Sequence, residues 1–436
     1  MPTPRSVQRI YLLLLLGNTL AASLIWGINT IFLLDAGLSN LEAFAANAFF
    51  TAGMVIFEVP TGITADTVGR RASYLLGTVT LTVTTLLYVL LWQIEGPFWS
   101  WAVVSVLLGL GFTFFSGAVE AWLVDALQAT GFEGDLESVF GRGQIVEGVA
   151  MLTGSAAGGY VAQVSNLGVP FVLRAAVLVV MFVVAFVVMR DIGFTPRQGE
   201  RVLSEMRQIA SASIQHGWRV PAVKWIMVSS APLAGLGIYV FYALQPYLLE
   251  LYGDPEAYGV AGLVAAIVAG SQIVGGIAAP WIRRLFHRRT SALLAATAAS
   301  TVTLALIGLF DDFWVVIALI VVWGLLFAAS TPIRQTYLNG LIPSEQRASI
   351  LSFDSLIGSS GGVVVQPVLG RAADVWSYGT SYVIGAAISA TALPFILWSR
   401  RQDMEADTAS ELPRKGDPTE VAPTQAVPEV EVEERT

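Results

Sequence analysis

Long apolar segments recur along the whole chain, each about the length that crosses a bilayer, with short polar loops between them. A transmembrane helix needs about 20 predominantly apolar residues. Twelve segments meet that requirement, six on either side of a longer polar stretch, with limits near 11–34, 41–64, 73–92, 98–127, 139–164, 169–189, 222–249, 258–281, 291–310, 314–339, 348–372 and 382–399. The pattern predicts an all-α membrane protein with twelve transmembrane helices.

The longest internal polar stretch divides the chain into two halves. Residues 1–190 and 222–402 are each predicted to form a bundle of six helices. Between them, residues 191–221 carry an apolar helical face, which favours an amphipathic helix on the membrane surface; a flexible linker is the alternative. Residues 403–436 are rich in Pro, Glu and Val and have no apolar period, so a disordered acidic tail is expected there.

Composition excludes a soluble globular chain. Of the 436 residues, 55% are hydrophobic and 13% are charged, whereas soluble domains carry about a quarter charged residues. The net charge of −8 belongs mostly to the tail, since residues 403–436 hold ten acidic and three basic residues. The absence of cysteine excludes disulfides, thiolate metal sites and redox chemistry at sulfur.

The basic residues indicate an orientation. Of the 21 Lys and Arg residues before position 402, all but Arg174 and Arg371 fall at ends or loops on one side of the predicted bundle. Loops on the cytoplasmic side of membrane proteins carry the excess of basic residues. We therefore expect both termini in the cytoplasm and the protein in the plasma membrane.

A short charged loop joins the second and third segments, with the sequence Gly62-Ile63-Thr64-Ala65-Asp66-Thr67-Val68-Gly69-Arg70-Arg71. The pattern G-x-x-x-D-x-x-G-R-R resembles the signature loop of the major facilitator superfamily, whose members have twelve helices. The resemblance implies that Asp66 and Arg70 form a conformational latch with Asp125, at the inner end of the fourth segment. Gly62, Gly69 and Arg71 would shape and orient the loop.

The second half contains a decayed copy of this loop, which ends at Arg283-Arg284 and has Pro280 where Asp66 stands. Two six-helix repeats imply a substrate site near the membrane midplane, where the halves meet.

Ionisable residues inside membrane helices are costly, and they are usually paired or functional. Desolvation favours the neutral form of a carboxylate, so Glu58 and Glu147 are the first candidates for proton coupling, followed by Glu120 and Asp354. Two further arginines, Arg142 and Arg334, are candidates for ion pairs, and three alternatives stay open. Glu147 could form a permanent pair with Arg142; Glu120 could pair with Arg334 across the halves; or each could find a partner in its own half.

The fifth segment supplies the clue to direction. Gly154, Gly158 and Gly159 match the antiporter signature G-x-x-x-G-P-x-x-G-G, whereas Ala150 and Ser155 replace its first glycine and its proline. In the resembled family this motif marks exporters that exchange drugs for protons. Close helix packing alone would also require such small residues.

Aromatic and amide residues cluster on two equivalent segments and on the tenth. Such side chains suit an apolar or cationic organic molecule, and helix packing is the alternative. The candidates for the substrate cavity are Asn18, Trp26, Asn29, Tyr239, Tyr242, Gln245 and Trp323.

These features predict a secondary transporter, most similar to the proton-coupled multidrug and tetracycline exporters. The alternatives are a proton symporter or uniporter that imports a nutrient, and, remotely, a membrane-embedded enzyme. The enzyme is disfavoured because the only histidines, His216 and His287, lie in predicted loops rather than in a cavity. The expected partners are lipid, a small organic substrate and protons; no nucleic acid, cofactor or metal is expected, and the protein should act as a monomer.

Overall fold

The computed structural model describes residues 3–196, 218–342 and 347–408, except for the side chains of Glu137, Ala348 and Ser349. Within these ranges the regular structure is entirely helical. We number the membrane-spanning segments as spans 1 to 12. Spans 1 to 6 are Pro4–Trp26 with Asn29–Asp35, Asn40–Thr67, Arg70–Gln93, Phe98–Thr113 with Ala118–Ala129, Leu136–Val164 and Gly168–Val188.

The second half repeats this arrangement. Spans 7 to 12 are Pro221–Val228 with Ser230–Tyr252, Tyr258–Arg284, Arg289–Leu309, Phe313–Leu341, Arg347–Val375 and Tyr378–Ala390 with Ala392–Arg400. Eleven segments of the described chain are long and apolar enough to cross a membrane. Span 11 is not among them because Ser, Gly, Gln and charged residues interrupt its apolar run, although it is a continuous helix of 29 residues.

The helix pairings show the internal repeat. Span 1 packs on span 5, span 2 on span 4, and span 3 on span 6; spans 7 and 11, 8 and 10, and 9 and 12 pack in the same pattern. Between the halves, span 2 packs on span 11 and span 5 on span 8, which are again equivalent pairs. The prediction of twelve helices in two pseudo-symmetric six-helix bundles is therefore confirmed.

Several spans contain breaks that the apolar pattern does not show. Span 1 is interrupted at Gly27 and Ile28, and span 4 at 114–117, where Gly117 adopts a left-handed φ of 68°. Glycine adopts this conformation without the penalty that a Cβ brings. Span 1 also begins at Pro4, several residues before the predicted limit, because Thr3 and Ser6 form a capping box.

The start of the acidic tail differs from the expectation. Glu405–Thr408 form a helical turn, and Asp407 is 1% exposed. Its carboxylate accepts hydrogen bonds from the backbone N–H and the hydroxyl of Thr290, both at 2.7 Å. Asp407 thus caps the free amides at the start of span 9, and the prediction of disorder is wrong for these residues. The rest of the tail and the predicted amphipathic helix lie outside the described residues.

The two halves are joined mainly at one end of the bundle. We call the end that carries Thr3, Thr408 and most arginines of the described chain the basic end, and the other the opposite end. At the opposite end Asp374 of span 11 accepts hydrogen bonds from the amides of Asn40 and Leu41, at 2.9 and 2.8 Å. Gln245 joins span 7 to span 1 by accepting from the Thr30 amide and donating to the Trp26 carbonyl.

The cross-half hydrogen bonds in the described part of the chain all lie in the opposite-end half of the spans. The structure is therefore closed at the opposite end, and its halves are not hydrogen-bonded to each other at the basic end within the described residues.

Candidate substrate and proton site

A cavity of about 220 Å³ lies within the first half. We call it the first-half cavity. Spans 1, 4, 5 and 6 supply its charged and polar side chains, which are Asn18, Thr19, Ser116, Glu120, Glu147 and Arg174. Trp26, Phe112 and Phe115 contribute aromatic walls. Most of the wall is apolar, so the few charged groups determine which molecules the cavity can hold.

The break in span 4 positions Glu120. Ala118–Ala129 starts a new helix inside the membrane, and Glu120 lies in its first turn. The free amides of a helix N-terminus stabilise a nearby negative charge. The Oε2 atom of Glu120 is buried and has no hydrogen-bond partner among the described residues.

Glu147 lies on the basic-end half of span 5 and lines the same cavity. Its carboxylate is close enough to Glu120 for the two to interact electrostatically. The predicted pair with Arg142 is not formed, because Arg142 points away and donates to Ser138 and Gln8 at 3.3 and 3.5 Å. Two like charges in one low-dielectric cavity repel each other, so a proton on either carboxylate relieves the repulsion.

Glu58 is more accessible than the sequence suggests. Its side chain is exposed, and it accepts a hydrogen bond from Ser116 at 2.7 Å. Since Ser116 lines the first-half cavity, Glu58 lies at the edge of that cavity rather than within it.

Arg334 does not pair with Glu120. It binds Asp354 of span 11 through two hydrogen bonds, of 2.7 and 2.6 Å, and donates to the Ile226 carbonyl. The cross-half alternative fails because span 11 brings a carboxylate to Arg334 within the second half, whereas Glu120 belongs to the other half. Both partners line a second-half cavity of about 590 Å³, together with Trp323.

The predicted aromatic and amide candidates separate into two groups. Asn18 and Trp26 line the first-half cavity, where Asn18 accepts a hydrogen bond from Tyr74 at 2.9 Å. Three other candidates make packing contacts. Gln245 joins the halves as described above, Asn29 is hydrogen-bonded to Asn47 at 3.0 Å, and Tyr239 is hydrogen-bonded to Ser381 at 2.5 Å. Tyr242 lies near enough to Arg174 to interact electrostatically.

The charged loop between spans 2 and 3 joins helices of the first half. Arg70 contacts Asp66, and its Nε lies 3.9 Å from Asp125 Oδ2. Gly69 has a φ of 131° and is the N-cap residue just before span 3, whereas Gly62 has open space around it. The three latch residues are thus brought together, and Gly62 makes no contact that requires a glycine.

Arg71 fixes the same loop to span 6. Its guanidinium donates to the Phe186 carbonyl at 2.5 Å, and its amide donates to Asp191 at 2.9 Å. Asp191 was not a candidate from the sequence. A signal was present, because an acidic residue just after span 6 can cap the N-terminus of a neighbouring helix.

The glycines of span 5 allow close approach on two sides. A Cβ on Gly158 would lie 1.8 Å from the Leu24 carbonyl oxygen, and one on Gly154 would lie 2.0 Å from Ser23 Oγ, both on span 1. Gly159 instead faces Gly262 of span 8, with a Cβ distance of 2.7 Å to its Cα. The motif therefore lies both inside the first half and at the contact between the halves.

The comparisons with known proteins agree with this architecture. The family model of the Major Facilitator Superfamily matches residues 11–365 and 233–428. The chain belongs to this superfamily. It is a multi-pass membrane transporter, whose two halves support alternating access, and not an enzyme.

Solved structures of other transporters share the fold. The nucleoside transporter NupG has a TM-score of 0.72 at 10% identity, over 91% of this chain and 99% of that one. A bacterial homolog of the human lysosomal transporter Spinster, inward-facing and unoccupied, has a TM-score of 0.70 at 13% identity, over 94% of this chain and 100% of that one. A POT family transporter in complex with 5-aminolevulinic acid has a TM-score of 0.66 at 13% identity, over 89% of this chain and 94% of that one. A search of curated proteins finds no match to this transporter.

Proposed function

We propose that this transporter exports amphiphilic organic molecules in exchange for protons, and that Glu147 and Glu120 carry the proton. The observation that supports this most is their position. Both carboxylates line the first-half cavity, and neither forms a salt bridge with any residue in the described part of the chain. A carboxylate without a permanent partner can bind either a proton or a cationic group, which is the competition that antiport requires.

The other candidates are less suited to carrying a proton. Asp354 is held by Arg334 through two hydrogen bonds, so protonation would break an ion pair. Glu58 is exposed beside Ser116. We therefore rank Glu147 and Glu120 above Glu58 and Asp354.

The conformation and orientation are part of the proposal. If the basic end faces the cytoplasm of the plasma membrane, as its arginines favour, the structure is closed to the outside. Substrate would then enter the first-half cavity from the cytoplasm, and rocking of the halves would release it outside. The latch formed by Asp66, Arg70 and Asp125 would hold first-half helices together during this motion. A single chain contains both halves, so a monomer is sufficient.

A reconstituted system tests exchange against its rivals. Purified protein is placed in proteoliposomes that contain a pH-sensitive dye and have an acidic lumen. Ethidium, para-aminomethylbenzoate or para-toluate is then added outside. Antiport predicts that a transported molecule enters while lumenal protons leave. Symport, the importing alternative, requires the reversed gradient, and a uniporter shows no dependence on the gradient.

Variants then test the assignment of the carboxylates. We expect Glu147→Gln and Glu120→Gln each to lower proton-coupled exchange at least about tenfold, as loss of a proton-transfer group does. Glu133→Gln, which removes an exposed loop carboxylate, is the matched control and should exchange at the wild-type rate. Full exchange by both cavity variants would refute this proton assignment.

A further inference from the structure

Arg174 of span 6 is a buried cation without a hydrogen-bonded counter-charge among the described residues. The residue is 2% exposed, and neither Nε nor Nη2 has a hydrogen-bond partner in the described part of the chain. It forms no salt bridge within the described residues. Its neighbours are the ring of Phe112, centred 5.5 Å from Cζ, and the phenols of Tyr88 and Tyr242.

Such an arrangement is costly. Removing an ion from water costs several kcal/mol unless a counter-charge and hydrogen bonds replace the water. Aromatic rings compensate only in part, by about 2 kcal/mol or somewhat more when desolvated. The protein keeps this cost at a side chain that lines the first-half cavity, where a bound molecule could supply the missing partner.

The geometry of the guanidinium indicates the partner. Nε and Nη2 lie on one edge of the planar group, and this edge binds a carboxylate through two parallel hydrogen bonds. A carboxylate therefore satisfies both unpartnered nitrogens at once.

The same cavity carries negative charge nearer the basic end. Arg174 lies six residues after Gly168, in the opposite-end half of span 6. Glu147 lies eleven residues after the basic-end start of span 5, and Glu120 lies in the helix Ala118–Ala129, the part of span 4 nearer the basic end. Apolar and aromatic side chains, including Trp26 and Phe115, line the cavity together with these groups. The cavity thus has a positive site deep inside and a negative site towards the basic end.

We propose that the first-half cavity binds a zwitterionic molecule with an apolar or aromatic body. Its carboxylate pairs with Arg174, and its ammonium pairs with Glu120 and Glu147. This deepens the proposed function, because the ammonium competes with the proton for the carboxylates, whereas Arg174 keeps the molecule oriented in either case. A purely anionic substrate would instead bind best together with the proton.

A matched series of probes tests the charge arrangement without any substitution. Protein purified in detergent is titrated with para-aminomethylbenzoate, para-toluate, para-methylbenzylamine and para-toluamide, and binding is read from thermal stabilisation. These molecules share the ring and differ in charge. We expect the zwitterion to bind at least about tenfold more tightly than either singly charged probe, the gain from one charge-assisted hydrogen-bonded pair. Equal binding of the zwitterion and para-methylbenzylamine would overturn the proposal.

Substitutions assign each end of the probe. Arg174→Gln should reduce binding of the zwitterion to the level of para-methylbenzylamine, and Arg174→Lys should retain part of it, because the charge remains while the fork is lost. Glu147→Gln should lower the affinity for the zwitterion towards the affinity for para-toluate, because the ammonium loses one of its carboxylate partners. Arg5→Gln, an exposed arginine of the same half, is the control and should bind as the wild type does.

Two further outcomes would contradict the proposal. Binding of the zwitterion by Arg174→Gln at wild-type affinity would show that its carboxylate does not reach Arg174. Equal stabilisation by inorganic phosphate would show a site for small anions only. Because the assay uses no gradient and no transport, its result is independent of whether proton exchange occurs.

Discussion

At the scale of single residues, the local partner decides what each intramembrane charge can do. Asp354 is fixed by Arg334 within the second half, whereas Glu147 and Glu120 share a cavity and form no salt bridge with any described residue. The sequence identified all four as candidates but could not choose the pairs. Pairing depends on how each helix is rotated about its axis and on which helices lie next to it. The position of a residue along its span reveals neither of these.

Removing one member of the Arg334–Asp354 pair should be costly. The two side chains are 18% and 12% exposed, so Asp354→Ala leaves a mostly buried cation unpaired. We expect a loss of about 3 kcal/mol in the free energy of unfolding, measured by thermal or denaturant unfolding in detergent. The double variant with Arg334→Ala should lose less than Asp354→Ala alone, since no unpaired charge remains. If Asp354→Ala is as stable as wild type, the pair does not contribute to the free energy of unfolding.

At the scale of elements, sequence patterns located the spans well and their breaks poorly. Apolar length predicted each span to within a few residues in most cases, because lipid imposes that length. The break before Ala118 depends on the conformation of Gly117, and many glycines in the chain are not breaks. The turn around Asp407 depends on a tertiary cap at Thr290, which no local pattern in the tail reveals.

The contact between spans 5 and 8 makes a sharp prediction for one glycine. A Cβ at Gly159 would lie 2.7 Å from Gly262 Cα and 2.6 Å from the Tyr258 carbonyl oxygen. Backbone atoms cannot move aside as a flexible side chain can, so Gly159→Ala should separate the two spans. We expect a loss of about 1–3 kcal/mol in the free energy of unfolding, the usual cost of overpacking.

The same span contains the matched control for this prediction. A Cβ added to Gly141 would meet no atom within 4 Å, so Gly141→Ala should be neutral or slightly stabilising, since alanine favours helix. Thermal unfolding of the two variants side by side gives the answer. Equal stability of Gly159→Ala and Gly141→Ala would show that the halves do not depend on this close contact.

At the scale of the whole molecule, the two halves have equivalent helix pairings and meet through equivalent spans. The repeat was visible in the sequence from the decayed loop at 276–284. The sequence did not reveal which end is closed, because Asp374, Gln245 and their partners are far apart in sequence and carry no motif. Closure at one end fits alternating access, in which two halves rock about a central site. The two cavities named above are each lined by residues of one half, whereas the repeat predicted a site where the halves meet.

Distances between the halves test this account most directly. The chain has no cysteine, so introduced cysteines can carry spin labels without background. Val68 and Leu285 occupy equivalent positions at the basic end, and Ile94 and Leu309 at the opposite end; all four are more than half exposed. With a transported molecule present and the pH cycled, the account predicts that the Val68–Leu285 distance shortens while the Ile94–Leu309 distance lengthens. Distances that both stay constant, or that change in the same sense, would contradict it.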